Sequence, residues 1–271
     1  MQKLRRRYHY SVILLRQLVI TDFKLRYQGS VLGYLWSLLR PLALFVILYF
    51  VFAKFLRVGE AVPYYPVYLL LGIVLWNYYL EVTSNSVASI VGRGDLIRKI
   101  NFPKYVIVLA GSFSALINLF LNFIIIIIFM LLTGTDISSG VVWLPLLILE
   151  MFIFSLGTAF LLSAAFVKFR DISYIWEVIM QGAFYATPIL YPLSYVIDNV
   201  SVLAAKILML NPMAQIIQDI REVIITDKTI TMSDLYGSNY SRIIPLAIVL
   251  FLALFSTYYF RKRSKYFAEE V

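Results

Sequence analysis

Long apolar runs alternate with short polar or charged segments along almost the whole chain. A helix of about 20 mainly apolar residues is long enough to cross a bilayer. Six runs of this kind occur, at residues 31–55, 67–91, 105–132, 141–167, 172–190 and 243–260. The pattern predicts an all-α polytopic membrane protein with six transmembrane helices, forming a single transmembrane domain over residues 1–271.

Three segments between or beside these runs have a character of their own. Residues 1–30 mix Lys and Arg with apolar positions, which predicts an amphipathic interface helix that does not span. Residues 92–104 are charged and leave room for one or two helical turns, which Pro103 would end. Residues 191–242 are too apolar for a plain loop and predict short re-entrant helices between spans five and six. Residues 31–190 then hold spans one to five, and residues 243–271 hold span six with the cytoplasmic tail.

The distribution of charge orients these elements and excludes one class of partner. The net charge is +9, but the basic residues lie in short runs beside apolar segments, which argues against a nucleic-acid partner. One side of the predicted topology carries 17 Lys and Arg residues and the other carries six. Because basic residues concentrate in cytoplasmic loops, both termini are predicted to be cytoplasmic, in a multi-pass protein of the cytoplasmic (inner) membrane.

Some chemistry is missing from the sequence. The chain has no cysteine and one histidine, His9, so no metal site is predicted. None of the 12 glycines precedes a lysine, whereas a phosphate-binding loop requires Gly-Lys-Ser/Thr. No catalytic residue is predicted. If the protein pumps a substrate, the energy must come from another chain or from an ion gradient.

Polar and aromatic residues inside the predicted spans leave alternatives open. Glu81, Glu150 and Glu177 indicate either proton coupling or hydrogen bonding within the protein. Asn118 and Asn122 lie on one helix face, where hydrogen bonds between helices are the favoured interpretation. Two other function classes therefore remain: an ion-coupled carrier that uses Glu150, and a membrane enzyme acting on polyprenyl-linked sugars.

Five short motifs, in order along nearly the whole chain, resemble those of one family. The first reads Lys24-Leu25-Arg26-Tyr27-x-Gly29-Ser30-x-Leu32-Gly33-x-x-Trp36-x-x-x-x-Pro41. The others are Lys99-Ile100-Asn101-Phe102-Pro103, Phe169-Arg170-Asp171-Ile172, Thr187-Pro188-Ile189-Leu190-Tyr191-Pro192, and Asn211-Pro212-Met213 with Arg221. Together they resemble the membrane permease subunits of ATP-binding-cassette polysaccharide exporters of the O-antigen, capsule and teichoic acid type.

The resemblance implies a mechanism, partners and site residues. It implies a homodimer with two copies of a cytoplasmic ATP-binding subunit, which exports a polyprenyl diphosphate-linked glycan across the membrane. Membrane lipids are further partners. No cofactor is expected in this chain, because ATP and Mg would be bound by the partner. The implied substrate gate comprises Lys24, Arg26, Tyr27, Tyr34, Trp36 and Arg40. Residues predicted to couple to the ATPase are Arg93, Asp95, Arg98, Lys99, Phe102 and Lys104.

Aromatic side chains supply the remaining candidates. Sugars stack their C–H faces on aromatic rings, so a path for a glycan would be lined by such residues, although packing and interface anchoring would produce the same pattern. The predicted translocation path comprises Phe45, Tyr49, Phe52, Tyr185 and Tyr191.

Overall fold

The computed structural model describes residues 2–26, 29–59, 62–100, 102–135 and 139–270, with the side chains of residues 2–9, 23, 25, 26, 139 and 239 left outside that description. The described residues form helices and no strand. The helices of the first half are α1 (Gln2–Arg26), α2 (Trp36–Tyr49), α3 (Tyr65–Val87), α4 (Gly94–Lys99) and α5 (Tyr105–Thr133). The second half contains α6 (Leu144–Lys168), α7 (Ile172–Ala186), α8 (Leu193–Asn199), α9 (Val202–Met209), α10 (Pro212–Ile224), α11 (Met232–Tyr236), α12 (Ile243–Arg263) and α13 (Phe267–Glu270).

The all-helical membrane fold predicted from the sequence is confirmed. Five helical segments among the described residues are long and apolar enough to cross a membrane: Gly33–Phe55, Tyr65–Val87, Tyr105–Thr133, Gly140–Lys168 and Tyr240–Arg263. They correspond to the predicted spans one, two, three, four and six. The predicted short helices after the fifth span are also present, as α9 and α10, and α8 and α11 flank them.

The predicted fifth span is shorter than the apolar run that suggested it. Helix α7 has 15 residues, so it extends about 22 Å, less than the ~30 Å of a hydrocarbon core. It ends at Ala186 because Thr187 precedes Pro188 and adopts an extended backbone, with φ −90° and ψ 138°. The count of six spans therefore stays a prediction.

Helix α3 is the central element of the bundle. It packs against α2, α5, α6, α7 and α10, and most of its side chains are buried. Helices α2 and α12, by contrast, expose many large apolar side chains. Such faces require lipid or another protein chain to cover them.

The two ends of the bundle differ in construction. At one end, which we call the α4 end, α13 packs against α4, and the ammonium of Lys104 donates to the carbonyl of Ser264 at 2.7 Å. At the other, which we call the α10 end, α10 packs against α3, α6, α9 and α12. The α4 end has short charged connections, whereas the α10 end is closed by four short helices.

Candidate functional site

The predicted gate residues lie at the junction between the end of α1 and the start of α2. Lys24 is exposed on α1, and Tyr34, Trp36 and Arg40 are exposed at the start of the first span. Tyr27 and the side chain of Arg26 lie outside the described residues. Two of the six, Trp36 and Arg40, line the same cavity, which has a volume of about 800 Å³ and lies between α2, α3 and α5.

The predicted path residues are divided between two places. Phe45 is buried and packs edge-to-face on Phe129 of α5, with ring centroids 5.3 Å apart, and Tyr49 packs against Phe45. Phe52 is half-buried in the same cluster. Tyr185 is exposed, and its carbonyl accepts a 2.9 Å hydrogen bond from the Tyr191 hydroxyl. Within one chain the structure does not bring these five aromatics together.

A second cavity, of about 720 Å³, lies between α3 and α7. Tyr185 lines it together with Trp76, Trp176 and Glu177. Glu177 is exposed on α7 beside this cavity. This face combines aromatic rings with a carboxylate and carries one of the five predicted path residues.

The predicted coupling residues fall into two groups at the α4 end. Asp95, Arg98 and Lys99 are exposed on α4, where the Arg98 guanidinium lies 3.3 Å from the Asp95 carboxylate. Phe102 is buried in the core, and Lys104 is hydrogen-bonded to Ser264. The first group is available to a partner, whereas the second fixes α4 to the bundle.

Arg93 joins the segment before α4 to α1. Its guanidinium forms a 2.5 Å ion pair with the carboxylate of Asp22, and both side chains are about one quarter exposed. Asp22 lies two residues before Lys24, so this pair connects the predicted gate segment to the predicted coupling segment. A partly shielded ion pair of this kind is stronger than a fully solvated one.

A buried arginine joins two of the sequence motifs at the α10 end. The Arg221 guanidinium donates to the carbonyls of Pro188 at 2.6 Å, Ile189 at 2.9 Å and Tyr68 at 3.0 Å. Its central carbon lies 3.4 Å from the centroid of the Tyr68 ring. The motif that contains Pro188 and the motif that contains Arg221 therefore meet on α3. Backbone carbonyl dipoles and an aromatic face stabilise this buried charge.

Acidic side chains surround a second arginine at the same end. The Arg242 guanidinium binds the carboxylate of Glu222 at 2.7 Å and approaches that of Asp219 at 3.7 Å. The amide of Gln215 donates to Asp219 at 2.5 Å. Burial raises the pKa of Asp219 to about 6, although Arg242 acts in the opposite direction. Glu150 of α6 lies close enough to repel Asp219.

The sequence prediction for the two asparagines is confirmed, but it missed the cavity that they line. The amide of Asn118 donates to the Glu81 carboxylate of α3 at 3.0 Å, which is a hydrogen bond between helices. Glu81, Asn118 and Asn122 also line the 800 Å³ cavity with Trp36 and Arg40. A signal was present in the polar residues that recur at helical spacing on α3 and α5: Asn77, Glu81, Ser84, Asn85, Asn118 and Asn122.

Comparison with known proteins adds to this geometry. Residues 13–225 match the family described as ABC-2 type transporter. The chain is 32% identical over 203 residues to the O-antigen export system permease protein RfbA of Klebsiella pneumoniae, covering 74% of this chain and 76% of that protein. It is 30% identical over 209 residues to the protein of the same name from Myxococcus xanthus, covering 77% of this chain and 78% of that protein.

Proposed function

This chain belongs to the ABC-2 type transporter family, and we propose that it is the transmembrane subunit of an ATP-driven exporter of O-antigen or a closely related polysaccharide. The polysaccharide would be carried on a polyprenyl diphosphate lipid and would cross the cytoplasmic membrane. The names of the similar Klebsiella and Myxococcus proteins support the substrate class. The family resemblance based on the five sequence motifs is confirmed by these comparisons.

The observation that carries the proposal is the construction of the α4 end. Helix α4 presents exposed Asp95, Arg98 and Lys99, while α13 and the Lys104–Ser264 hydrogen bond hold it in place. A short charged helix on a firm base is suited to receive a separate ATPase subunit and to transmit its movement. Hydrolysis by a partner also accounts for the absence of a phosphate-binding Gly-Lys-Ser/Thr sequence from this chain.

The exposed apolar faces support a homodimer. Helix α2 is continued by a π-helical segment, Phe50–Phe55, that exposes Phe50, and α7 exposes Val178 and Tyr185. A second copy placed against these faces would bring the 720 Å³ cavities of two chains toward a shared path. In the proposed orientation, the α4 end and both termini are cytoplasmic, because the Lys and Arg excess lies on that side.

The gate would receive the lipid-linked substrate at the junction of α1 and α2. Lys24 and Arg40 are exposed there, and cationic donors favour phosphate oxygens in a partly dehydrated interface. Trp36 and Tyr34 offer aromatic surface for sugars or for anchoring at the interface.

An ion-coupled carrier that uses Glu150 is less well supported. Glu150 lies near Asp219 and Arg242 at the α10 end. It lines neither the 800 Å³ cavity nor the 720 Å³ cavity. A carboxylate that carries protons along a transport path would be expected to face one of them.

Reversing the exposed charge of α4 tests the proposal directly. We expect Arg98→Glu with Lys99→Glu to reduce co-purification of the ATPase subunit and surface polysaccharide by about tenfold or more, because like charges across an interface cost several kcal/mol. Immunoblots of surface polysaccharide and pull-down of a tagged partner would measure both effects. The matched control is Arg261→Glu with Lys262→Glu, two exposed charges at the same end.

Two outcomes would contradict the proposal. Full export by the α4 variant would exclude α4 as the docking site. Export that continues after ATP depletion but stops when the ion gradient is collapsed would favour the carrier.

The Asp22–Arg93 pair predicts a separate phenotype. We expect Arg93→Ala to retain binding of the ATPase but to lower export about fivefold or more, because α1 loses its link to the segment that precedes α4. The charge exchange Asp22→Arg with Arg93→Asp should recover part of the export measured on surface blots. If the exchange exports no better than Arg93→Ala alone, the pair does not couple the two segments.

A further inference from the structure

Most of the polar side chains that line the 800 Å³ cavity between α2, α3 and α5 take no part in the proposed gate or coupling surfaces. Polar side chains in membrane-spanning helices are energetically unfavourable in contact with lipid, so a group of them lining one cavity requires an explanation. Those lining this cavity come from all three helices: Ser37, Arg40, Asn77, Glu81, Ser84, Asn85, Asn118 and Asn122.

Pro41 determines the orientation of the Asn122 amide. Proline has no backbone N–H, so the carbonyl of Ser37, one turn earlier in α2, lacks its usual helical donor. The Asn122 side chain supplies a donor, at 3.3 Å from the Ser37 carbonyl and 2.8 Å from the Asn118 carbonyl. Because both partners are acceptors, the NH₂ group must face them and the amide oxygen must face the other way.

Asn118 is oriented in the same manner. Its NH₂ group donates to the Glu81 carboxylate at 3.0 Å, and a carboxylate can only accept. The amide oxygens of Asn118 and Asn122 are both buried and have no hydrogen-bond partner among the described residues. Each of these residues lines the cavity, so its wall contains two recessed acceptors with unused hydrogen-bonding capacity.

Tyr78 adds a third unpartnered group. Its side chain is 3% exposed and lines the same cavity, and its hydroxyl has no partner within the described parts of the chain. Buried polar groups in native proteins are almost always hydrogen-bonded. Three exceptions in the wall of one cavity are groups whose hydrogen bonds a bound ligand would complete.

The three groups together select the chemistry of that ligand. Two fixed amide acceptors require a ligand that donates hydrogen bonds, which a phosphate diester does not do at neutral pH. Arg40 and Glu81 line the same cavity with opposite charges, so the cavity has no net negative charge that would select a cation. A sugar ring carries hydroxyls that donate to amide oxygens and accept from tyrosine or arginine, and its C–H face stacks on an aromatic ring such as that of Trp36.

We propose that this cavity is a binding subsite for a sugar unit of the lipid-linked glycan, lying beside the gate and formed by Tyr78, Asn118 and Asn122. The inference rests on the proposed function, because it assigns a position to the sugar portion of that substrate. Arg40 and Trp36 border both the gate and the cavity, so the diphosphate and the first sugars would bind next to each other.

The test uses the complex with its ATPase subunit in lipid nanodiscs and two radiolabelled probes. One is polyprenyl diphosphate, and the other is the same lipid bearing a neutral hexose disaccharide. We expect wild type to bind the sugar-bearing probe about tenfold more tightly. Asn118→Ala with Asn122→Ala should abolish that advantage, and Tyr78→Phe should reduce it about threefold, as expected for one hydrogen bond.

Tyr78→Phe keeps the test valid if the double variant folds poorly, because it removes only a hydroxyl that has no partner among the described residues. Asn199→Ala is the matched control, since Asn199 is exposed on α8 and its amide donates within its own helix to Tyr195 at 2.9 Å. It should bind both probes as wild type does.

The possible results separate the sugar subsite from the proposed function. Variants that keep the full sugar advantage, or that lose affinity equally for both probes, would overturn the sugar subsite alone. Wild-type binding of both probes with no sugar preference would do the same. If wild type binds neither probe, the lipid-linked substrate itself is wrong, and the proposed function fails with the subsite.

Discussion

Replacing Arg221 with methionine is expected to destabilise the protein far more than the loss of any exposed arginine. The guanidinium is fully buried and donates to the carbonyls of Pro188 and Ile189 and to the side chain of Gln218. Each buried acceptor that loses its donor costs about 1–3 kcal/mol. Since proteins are stable by only about 5–15 kcal/mol, the loss approaches the whole free energy of unfolding.

The measurement is the melting temperature of the detergent-solubilised permease, followed by size-exclusion chromatography after heating. We expect Arg221→Met to lower it by about 10 °C or to prevent recovery of folded protein. The matched control is Arg98→Met, because Arg98 is exposed and bonded only weakly, at 3.3 Å, to Asp95. A shift equal to that of the control would show that the buried hydrogen bonds contribute little.

Gly72 provides a second test of the same contact. A Cβ at this position would collide with the Nη2 atom of Arg221, whose guanidinium is held in place by four hydrogen-bond partners. We expect Gly72→Ala to destabilise the wild-type protein but to cost much less in the Arg221→Met background, where a flexible side chain leaves room. Additive costs would contradict this, because non-additivity marks residues in direct contact.

Arg221 also shows how far sequence reasoning reaches in this protein. It belongs to one of the five motifs, yet its partners, Tyr68 and the 188–189 turn, lie up to 153 residues away in the chain. Hydrophobic patterning is a local signal and predicts spans such as Tyr65–Val87 well. Patterning carries no information about which distant helix packs against a buried arginine. The contact between Arg221 and Tyr68 could therefore be identified only from the structure.

Residue type alone is a weaker guide to the path aromatics. Phe45 and Tyr185 are both aromatic residues in apolar runs, but Phe45 is packed against α5 whereas Tyr185 is exposed beside a cavity. The difference depends on which face of each helix meets its neighbours. For α7 a signal was present, because Ser173, Glu177 and Gln181 precede Tyr185 at four-residue spacing and all four line that cavity. The run around Phe45 contains no such polar series, so its packed face could not be predicted from the sequence.

The cavity near the gate is an intermediate case. Polar residues at helical spacing on α3 and α5 predict contacts between helices, and the Asn118–Glu81 hydrogen bond is one. Pro41 leaves the Ser37 carbonyl without its usual helical donor, and the Asn122 amide donates to that carbonyl instead. This follows from helix geometry once α2 and α5 are known to be in contact. The sequence therefore predicts the chemistry of each residue, but not that α2 and α5 are in contact.

Arg242→Gln is expected to destabilise the α10 end in a pH-dependent manner. The pKa of Asp219 is about 6 in the folded protein, above its ordinary value of 3.8, mainly because of burial. Folding therefore disfavours the charged form, which costs roughly 3 kcal/mol once the pH exceeds 6 and nothing below the ordinary value. Removing Arg242 raises this pKa further, so the deficit at pH 7.5 grows and is recovered as the pH falls.

Melting temperatures at pH 5.0 and pH 7.5 would measure this effect. Both conditions lie about one pH unit or more from the pKa of Asp219 in the folded protein. We expect Arg242→Gln to lose several degrees at pH 7.5 and less at pH 5.0. Asp219→Asn in the same background should remove the difference attributable to this carboxyl, leaving Glu222, Glu150 and Asp234 as the remaining nearby acids.

Arg263→Gln is the matched control for this pH dependence, because its partner Glu270 is a partly exposed surface residue. Its loss of melting temperature should be small at both pH 5.0 and pH 7.5, because a surface ion pair contributes little to stability. An equal loss for Arg242→Gln at both pH values would show that Asp219 does not carry the effect. Arg242 would then act through its other partner, Glu222, whose ion pair at 2.7 Å is the shorter of the two.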